Sequence, residues 1–350
     1  MTDSSEKNGC GCVSVGMGIT ANCNLDCKHC YSRPLRGQSL SRDQIMKVVN
    51  NPNVASINFG TGESILHPDF NAVIDVCHAN GIKLSLTSNG YSIMKLADEQ
   101  LLKFNDLDIS LDFTDVVKQN SFRNGESRSF VDRAIEKCRR LGVEFSITTA
   151  VMNVNYREIP LLMRKAAEEN CNLRVNIFKP VPRAGIYEFQ LNYEEFWAAV
   201  RLLFESGNLI SCSEPIVNAI LNIPPIVPRS PCGRNSLRIH PNGEVMPCVY
   251  WTESDIHVDE LAGSFDAVFE NAVFKKTGVI PAFCRTCEKV DVCGGGCASR
   301  RFLNNRLDQP DDYCPIFHEK ALPQIKVTFC EEKKDLVHSS YLCTMIFEGK

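Results

Sequence analysis

Residues 19–34 read ITANCNLDCKHCYSRP and carry three cysteines, Cys23, Cys27 and Cys30, in a Cys-x3-Cys-x2-Cys spacing. The segment 13–20 is rich in aliphatic and β-branched residues, which predicts a strand that ends at this loop. Three thiolates on one loop can hold three irons of a cubane cluster and leave the fourth iron open to a chelating ligand. The loop therefore predicts a metal site at the end of the first strand.

A structural zinc site is the alternative for this loop. Zinc takes four ligands in a closed tetrahedron, and only His29 is near enough in sequence to be the fourth. The whole chain has 18 cysteines in 350 residues and no signal peptide at its polar amino terminus. In a reducing compartment so many thiols indicate metal ligation, and iron–sulfur clusters are bound mainly by cysteine.

The composition excludes several classes of protein. A formal net charge of −4 gives no electrostatic basis for binding nucleic acid or an anionic membrane. No apolar run approaches the roughly 20 residues that a membrane-spanning helix needs. We therefore expect a cytoplasmic protein with neither partner.

Strand-like and helix-like segments alternate as far as residue 206 and predict an α/β fold. Helices are indicated by the capping box of Ser41 and Gln44 and by the apolar stripe from Phe196 to Phe204. Strands are predicted at 13–20, 54–59, 82–87, 107–112, 143–150 and 173–178. Six strand–helix repeats are too few to close an eight-stranded barrel. We expect a partial (β/α)6 TIM barrel, open on one side, with its chemistry at the carboxyl ends of the strands.

The repeat pattern ends near residues 222–231, where NIPPIVPRSP carries four prolines and predicts a linker. Beyond the linker cysteine and glycine become frequent and helical periodicity fades. This change predicts a second domain that is held together by metal ligands more than by an apolar core. The predicted organisation is a tail at 1–12, a barrel at 13–220, a linker with a Cys-rich domain at 221–320 and a tail at 321–350.

Seven cysteines of the second domain form one array. They are Cys232, Cys248, Cys284, Cys287, Cys293, Cys297 and Cys314. Between the first two, Pro241-Asn242-Gly243 predicts a hairpin that returns the chain. We therefore expect Cys232 and Cys248 to lie close together.

Four motifs at successive strand ends resemble those of the radical S-adenosylmethionine (radical SAM) superfamily. They are Cys-x3-Cys-x2-Cys-Tyr at 23–31, Gly-Thr-Gly-Glu-Ser at 60–64, Thr-Ser-Asn-Gly at 87–90 and Ser-Leu-Asp at 110–112. The second motif departs from the family's Gly-Gly-Glu-Pro at Thr61 and Ser64. The resemblance implies a [4Fe–4S] cluster on the three cysteines. It implies S-adenosylmethionine contacts from Tyr31, Gly62, Glu63, Asn89, Ser110 and Arg123.

The second cysteine array resembles the SPASM domain, which binds two auxiliary [4Fe–4S] clusters in some radical SAM enzymes. The implied ligands of auxiliary cluster I are Cys232, Cys248 and Cys297. The implied ligands of auxiliary cluster II are Cys284, Cys287, Cys293 and Cys314. Cluster I is then one ligand short, and either Cys212 supplies it or the site is open to substrate. A double zinc ribbon is the alternative reading of this array.

The resemblance implies an enzyme with three [4Fe–4S] clusters that cleaves S-adenosylmethionine reductively to a 5′-deoxyadenosyl radical. That radical abstracts hydrogen from a substrate carbon, and the auxiliary clusters favour a net oxidation or a cross-link. Many SPASM relatives modify peptides or proteins, so we expect a peptide maturase. Val249 stands where the sulfatase-maturating type has an aspartate base, which disfavours formylglycine formation.

Two other functions stay open. One is oxidation of a small molecule, such as a tetrapyrrole side chain or a sugar alcohol. The other, from a different class, is a zinc-stabilised binding module without catalysis. The expected partners of the enzyme are its substrate, a low-potential donor (ferredoxin or flavodoxin) and a separate leader-binding protein, because only 12 residues precede the barrel.

Several residues fall outside these patterns. Lys179 and Arg183, past the sixth strand, either face a substrate or are solvated charges. The cysteines without an assigned role are Cys10, Cys12, Cys77, Cys138, Cys171, Cys330 and Cys343.

Overall fold

The protein is represented by a computed structural model that describes residues 13–225, 229, 232–261, 265–331 and 344–350. Cys10, Cys12 and Cys343, the predicted tail 1–12 and part of the predicted linker lie outside the described residues. Within the described ranges, every helix is too short or too polar to cross a lipid bilayer.

The strands of the described residues belong to a single sheet. They are β1 (Val13–Met17), β2 (Val54–Phe59), β3 (Lys83–Ser88), β4 (Asp106–Ser110), β5 (Ser146–Val151), β6 (Asn172–Ile177), β7 (Gly207–Cys212), β8 (Ser236–Ile239), β9 (Val245–Met246) and β10 (Met345–Gly349). Their order across the sheet is β7-β10-β6-β5-β4-β3-β2-β1-β8-β9.

The helices of the barrel half connect successive strands. They are α1 (Arg42–Val49), α2 (Phe70–Ala79), α3 (Tyr91–Lys95), α4 (Asp98–Leu101), α5 (Val116–Arg123), α6 (Ser127–Leu141), α7 (Ile159–Glu168) and α8 (Tyr193–Ser206). The later helices are shorter. They are α9 (Pro215–Ile220), α10 (Asp266–Glu270), α11 (Ala272–Lys275), α12 (Val290–Cys293) and α13 (Ala298–Leu303).

Strands β1 to β6 lie side by side in chain order, and each neighbouring pair is parallel. This arrangement confirms the predicted α/β partial barrel, because strand–helix–strand units with crossovers of one hand place each new strand beside the previous one. The capping box at the start of α1 is also confirmed, with Gln44 N donating to Ser41 Oγ at 3.2 Å.

Four further strands extend the barrel sheet beyond the six that were predicted. On one side β10 lies antiparallel between β6 and β7, so residues 345–349 of the carboxy-terminal segment complete the sheet. On the other side β8 lies parallel to β1 and forms the predicted hairpin with β9. The second half of the chain is therefore joined to the barrel through main-chain hydrogen bonds.

The two faces of the sheet differ in polarity, as the alternation of side chains along a strand requires. The outer face is apolar, and fully buried residues such as Ile57, Leu107 and Leu173 pack under the helices in the main hydrophobic core. The inner face is polar, and Asn58 and Asp108 line a cavity there. The fold thus encloses a polar lumen within an apolar shell.

Candidate active site

The three-cysteine loop follows β1, and Tyr31, directly after its third cysteine, lines the lumen. Burial raises the pKa of Cys23 to about 12, and negative charge on Glu63, Cys27 and Cys30 adds to the rise. Burial also raises the pKa of Cys27 to about 11, against the effect of Arg123. These mutual effects indicate that the three cysteines lie near one another, and metal ligation there would require their thiolate forms.

Glu63 joins the loop after β2 to the loop after β3. Its side chain is 1% exposed, and its carboxylate accepts hydrogen bonds from Ser88 Oγ, from Asn89 N at 3.1 Å and from Ser92 N at 2.7 Å. The Glu63 carboxylate is therefore occupied by the protein itself. Asn89 in turn points its Nδ2 at Cys23 Sγ, 3.6 Å away, so the strand-end motifs contact one another.

Gly62 lies where no other residue fits. Its φ is +61°, and a Cβ there would be 2.6 Å from the carbonyl oxygens of Thr20 and Asn22. Those two carbonyls belong to the chain entering the cysteine loop, and Glu63 N donates to Asn22 O at 2.8 Å. The backbone of the second motif therefore packs directly against the first.

Arg123 and Ser110 lie at the carboxyl end of β4. Arg123 is the last residue of α5 and is only 7% exposed. Its guanidinium binds Asp112, while His29 Nε2 lies 3.9 Å from the same Asp112 oxygen. Ser110 ends β4 half-buried, opposite Thr148 of β5.

Tyr31 connects the cysteine loop to the second half of the chain. Its hydroxyl lies 3.1 Å from Thr61 Oγ1. Its ring meets the edge of Tyr250, with 5.6 Å between centroids. Tyr250 follows Cys248 by two residues, so the two halves of the molecule meet at this aromatic pair.

Four cysteines of the later array share a second site. A cavity with about 380 Å³ of empty space is lined by Cys284, Cys287, Cys293 and Cys314, together with apolar residues that include Ile216 and Ile220. Burial raises the pKa of Cys284 to about 11, with further rises from Cys314 and Cys287. Four thiols in an apolar pocket form the donor set of a [4Fe–4S] cluster.

Cys232 and Cys248 lie together in a separate apolar cluster with Met246 and Trp251. Ala298, next to Cys297, belongs to the same cluster. The hairpin prediction for the first two cysteines is thus confirmed.

The network behind Cys297 was not predicted. The Cys297 amide donates to Asp311 Oδ2 at 2.8 Å, and the fully buried Arg300 binds both Asp311 and Glu214. The pairing joins α9 to α13, and a run of arginines in sequence gives no sign of it.

Cys212 lies apart from that cluster. It ends β7 opposite Met345 of β10 and belongs to the main hydrophobic core. Its thiol is 3.9 Å from the Glu214 carbonyl oxygen, and burial raises its pKa.

Of the described His, Cys, Asp and Glu side chains, no three are placed to share a single metal ion.

The lumen contains a cavity with about 1010 Å³ of empty space, its open mouth included. One wall carries Tyr31 and Thr61 beside the first cysteine loop, and another carries Cys232, Cys248 and Tyr250. The described residues that line it also include Asp108 and Arg174 from the barrel interior and Arg238 from β8. These three charged side chains were not predicted, although the alternation of Asp106, Asp108 and Ser110 along β4 is the signal that places Asp108 inside.

The two cations past the sixth strand, for which a substrate contact and a solvated position were both open, contact the protein itself. Lys179 is 1% exposed and lies 4.8 Å from the centre of the Tyr250 ring. Arg183 donates to the Trp251 carbonyl oxygen at 3.1 Å and pairs with Glu244. Both side chains connect the end of β6 to the segment around Cys248, and the described lining of the cavity does not include them.

Comparison with known proteins identifies the barrel. Residues 17–166 match the model of the radical SAM superfamily. The mycofactocin maturase MftC of Mycobacterium ulcerans is 25% identical over 325 residues, 85% of this chain and 86% of that protein. The PqqA peptide cyclase of Gluconobacter oxydans is 23% identical over 346 residues, covering 88% and 92%.

One solved structure shows the same fold. The structure of SuiB from Streptococcus suis bound to precursor peptide SuiA has a TM-score of 0.64, at 14% identity, over 85% of this chain and 74% of that one. The three-cysteine loop at the strand ends and the matched barrel together define the class of protein. The chain carries a radical SAM domain and is an enzyme, and domains of this superfamily use S-adenosylmethionine and a [4Fe–4S] cluster.

Proposed function

We propose that the protein is a radical SAM enzyme with a SPASM-type second domain and that it modifies a peptide by oxidation or cross-linking. One observation carries the proposal. A single cavity is lined on one side by Tyr31 of the radical SAM loop and on the other by Cys232 and Cys248. A substrate in that cavity would lie between the site where a radical is generated and a site that accepts an electron. Two proteins similar to this chain support the substrate class, the PqqA peptide cyclase and SuiB bound to precursor peptide SuiA.

Each proposed cluster is assigned to one group of cysteines. Cys23, Cys27 and Cys30 hold the first [4Fe–4S] cluster. Cys232, Cys248 and Cys297 hold auxiliary cluster I. Cys284, Cys287, Cys293 and Cys314 hold auxiliary cluster II. The apolar cavity that the four cysteines of the second set share fits a cluster shielded from water.

The residues proposed to bind S-adenosylmethionine have distinct tasks. Tyr31 is placed to pack against the adenine, and its hydroxyl is fixed by Thr61. With the Glu63 carboxylate occupied, the backbone around Gly62 is left to receive the amino group. Arg123 keeps one edge of its guanidinium for the carboxylate, since Nε and Nη2 are bound to Asp112. The remaining proposed contacts are Asn89 and Ser110.

The chemistry comes from the groups that these residues bind. A reduced [4Fe–4S] cluster supplies the electron that cleaves S-adenosylmethionine and so provides a hydrogen-abstracting 5′-deoxyadenosyl radical. The chain orients the substrate in the lumen and excludes water from it. A ferredoxin or flavodoxin is the proposed electron donor, and a separate leader-binding protein is a proposed partner.

The first experiment measures iron and sulfide in the anaerobically reconstituted chain and then 5′-deoxyadenosine after reduction with dithionite. About twelve irons per chain, with 5′-deoxyadenosine formed, are expected for three [4Fe–4S] clusters. Two matched variants show how much of the iron belongs to the first cluster. C23A/C27A/C30A should lose about a third of the iron and all cleavage, whereas C77A/C138A, in the barrel core, should lose neither. Zinc without iron would contradict the proposal.

A second experiment addresses the substrate. Short peptides encoded beside the gene are incubated with the reduced enzyme, and the products are analysed by mass spectrometry. Loss of two hydrogens or a new cross-link, dependent on Cys23, would support the peptide class. Turnover of a small molecule with no change in any peptide would favour the alternative function.

A further inference from the structure

Arg238 reaches the lumen because the facing strand leaves room for it. It lies on β8 in register with Gly16 of β1. A Cβ on Gly16 would be 2.2 Å from Arg238 Cδ and 2.6 Å from its Nε. The backbone of Gly16 is not in the left-handed region, so an alanine there would act by displacing the Arg238 side chain and not by straining the backbone. The absence of a side chain at Gly16 therefore leaves the space across β1 that the Arg238 side chain occupies.

The guanidinium of Arg238 has donors to spare. Its Nη1 donates to the carbonyl oxygen of neighbouring Leu237 at 3.2 Å. Among the described residues no carboxylate forms an ion pair with it, while Arg174 in the same cavity binds both Asp106 and Asp108. An arginine has five N–H donors. Arg238 is therefore a cation of the lumen without an anionic partner in the described chain.

Arg238 lines the cavity together with residues from both halves of the chain. Ser236, Arg238 and His240 alternate along one face of β8 and its extension, and all three line the lumen. Tyr31 of the radical SAM loop lines the same cavity as Arg238. His240 Nε2 lies 3.2 Å from the Val249 carbonyl oxygen, next to Cys248. Arg238 thus shares one cavity with Tyr31 and with Cys232 and Cys248, residues of the two proposed cluster sites.

We propose that Arg238 binds a carboxylate of the substrate and fixes the substrate in the lumen. A guanidinium matches a carboxylate with two parallel hydrogen bonds, and a half-buried cavity strengthens the pairing relative to water. The inference rests on the proposed function and adds a chemical requirement to it: the peptide presents a carboxylate, either at its carboxyl terminus or on an acidic side chain.

The test uses three small probes with the reconstituted full chain in the presence of S-adenosylmethionine. N-acetyl-dialanine carries a terminal carboxylate, N-acetyl-aspartyl-alaninamide carries only a side-chain carboxylate, and N-acetyl-dialaninamide carries none. Binding is measured by saturation-transfer NMR at millimolar concentrations. We expect at least one acidic probe to bind and the neutral amide to bind about 10-fold more weakly or not at all.

Variants connect the binding to the residue. Arg238→Gln should weaken the acidic probe about 10-fold or more, and R238K should retain part of the affinity. G16A keeps the arginine but displaces its side chain, so it should also lose the probe. R201Q, an exposed position on α8 whose Nη1 contacts the Gln324 carbonyl oxygen, is the matched control and should bind as the wild type does.

The outcomes separate this inference from the proposed function. Equal binding of acid and amide, no binding of any probe to the wild type, or unchanged binding in R238Q would each overturn the role of Arg238. A large loss of S-adenosylmethionine affinity in R238Q, with no loss of the probe, would assign the arginine to the cofactor and overturn it too. Failure of the proposed function would appear instead as absence of 5′-deoxyadenosine from the wild-type enzyme.

Discussion

Arg123 donates a hydrogen bond from Nε to an oxygen of Asp112 at 2.9 Å, its Nη2 lies 2.7 Å from the same oxygen, and both side chains are buried. Asp112 is the last residue of the Ser-Leu-Asp motif, so the pair locks the end of β4 to the end of α5. Although burial opposes it, the positive charge of Arg123 holds the pKa of Asp112 below its ordinary value. The arginine implied to bind the cofactor is therefore first a structural partner of the protein.

R123Q should destabilise the protein by about 3–5 kcal/mol, because it leaves a buried carboxylate without its cation. The matched control is R140Q, which breaks an equally well-formed pair with Asp98 at 2.8 and 2.9 Å on the surface. An exposed pair contributes little, so R140Q should unfold at nearly the wild-type urea concentration. Similar shifts in both variants would contradict the importance of the Arg123–Asp112 pair.

G62A should lose iron from the first cluster and unfold at lower temperature. The added Cβ meets two carbonyl oxygens of the cysteine loop at 2.6 Å, and the φ of +61° is unfavourable for alanine by about 1–2 kcal/mol. G37A isolates the conformational cost, since Gly37 has a φ of +82° and open space around it. We expect G37A to keep its iron; if it loses as much as G62A, the contact with the loop is not the cause.

Asp108 should titrate near neutral pH. Burial raises its pKa to about 7, although Arg174 opposes the rise. A carboxyl group that binds its proton more tightly when folded contributes most to stability below about pH 4, and this contribution is lost as the pH rises through the folded pKa. D108N should therefore flatten the loss of stability between about pH 4 and 7.

The direct measurement for Asp108 is the pH dependence of its carboxyl carbon chemical shift, assigned by comparison with D108N. R174M should move the midpoint to higher pH, because it removes the cation that favours the charged form. A wild-type midpoint near the ordinary value of about 4 would rule out this account of the lumen.

C212A should leave the iron content and the electron paramagnetic resonance spectrum of auxiliary cluster I unchanged. Cys212 packs in the barrel core, whereas Cys232 and Cys248 lie in the separate cluster around Trp251. The comparison variant C232A/C248A/C297A should lose about four irons per chain. A changed spectrum in C212A would instead make Cys212 the fourth ligand.

F347A should cost about 3–5 kcal/mol of unfolding free energy, because Phe347 is fully buried on β10 and packs edge-on against Phe204 at 5.2 Å. F329A is the control, since the Phe329 side chain is 52% exposed and its loss should change stability by about 0.5 kcal/mol or less. Thermal unfolding of the two variants measures the difference. Equal stability would mean that β10 is not part of the folded barrel.

The part of the fold that could be predicted is the part whose strands and helices are recognisable from neighbouring residues in the sequence. Strands β1 to β6 were located within a few residues, since each is a short aliphatic run between a helix and a turn. Strands β7 and β10 were missed because their pairing is not local, whereas the hairpin of β8 and β9 was predicted from its turn. β10 has only five residues, Met345–Gly349, and becomes a strand because β6 and β7 offer main-chain partners on both sides.

The candidate site divides in the same way. The sequence by itself determined the cysteine groups and the strand-end motifs, because a cluster and its cofactor need ligands at fixed short spacings on single loops. The tertiary structure alone decided that Glu63 and Arg123 are held by the protein, and that Arg238 reaches the lumen opposite Gly16. These contacts join residues that are far apart in the chain. They form only because the fold brings a charged side chain next to a partner or into a space that a neighbouring strand or loop leaves open.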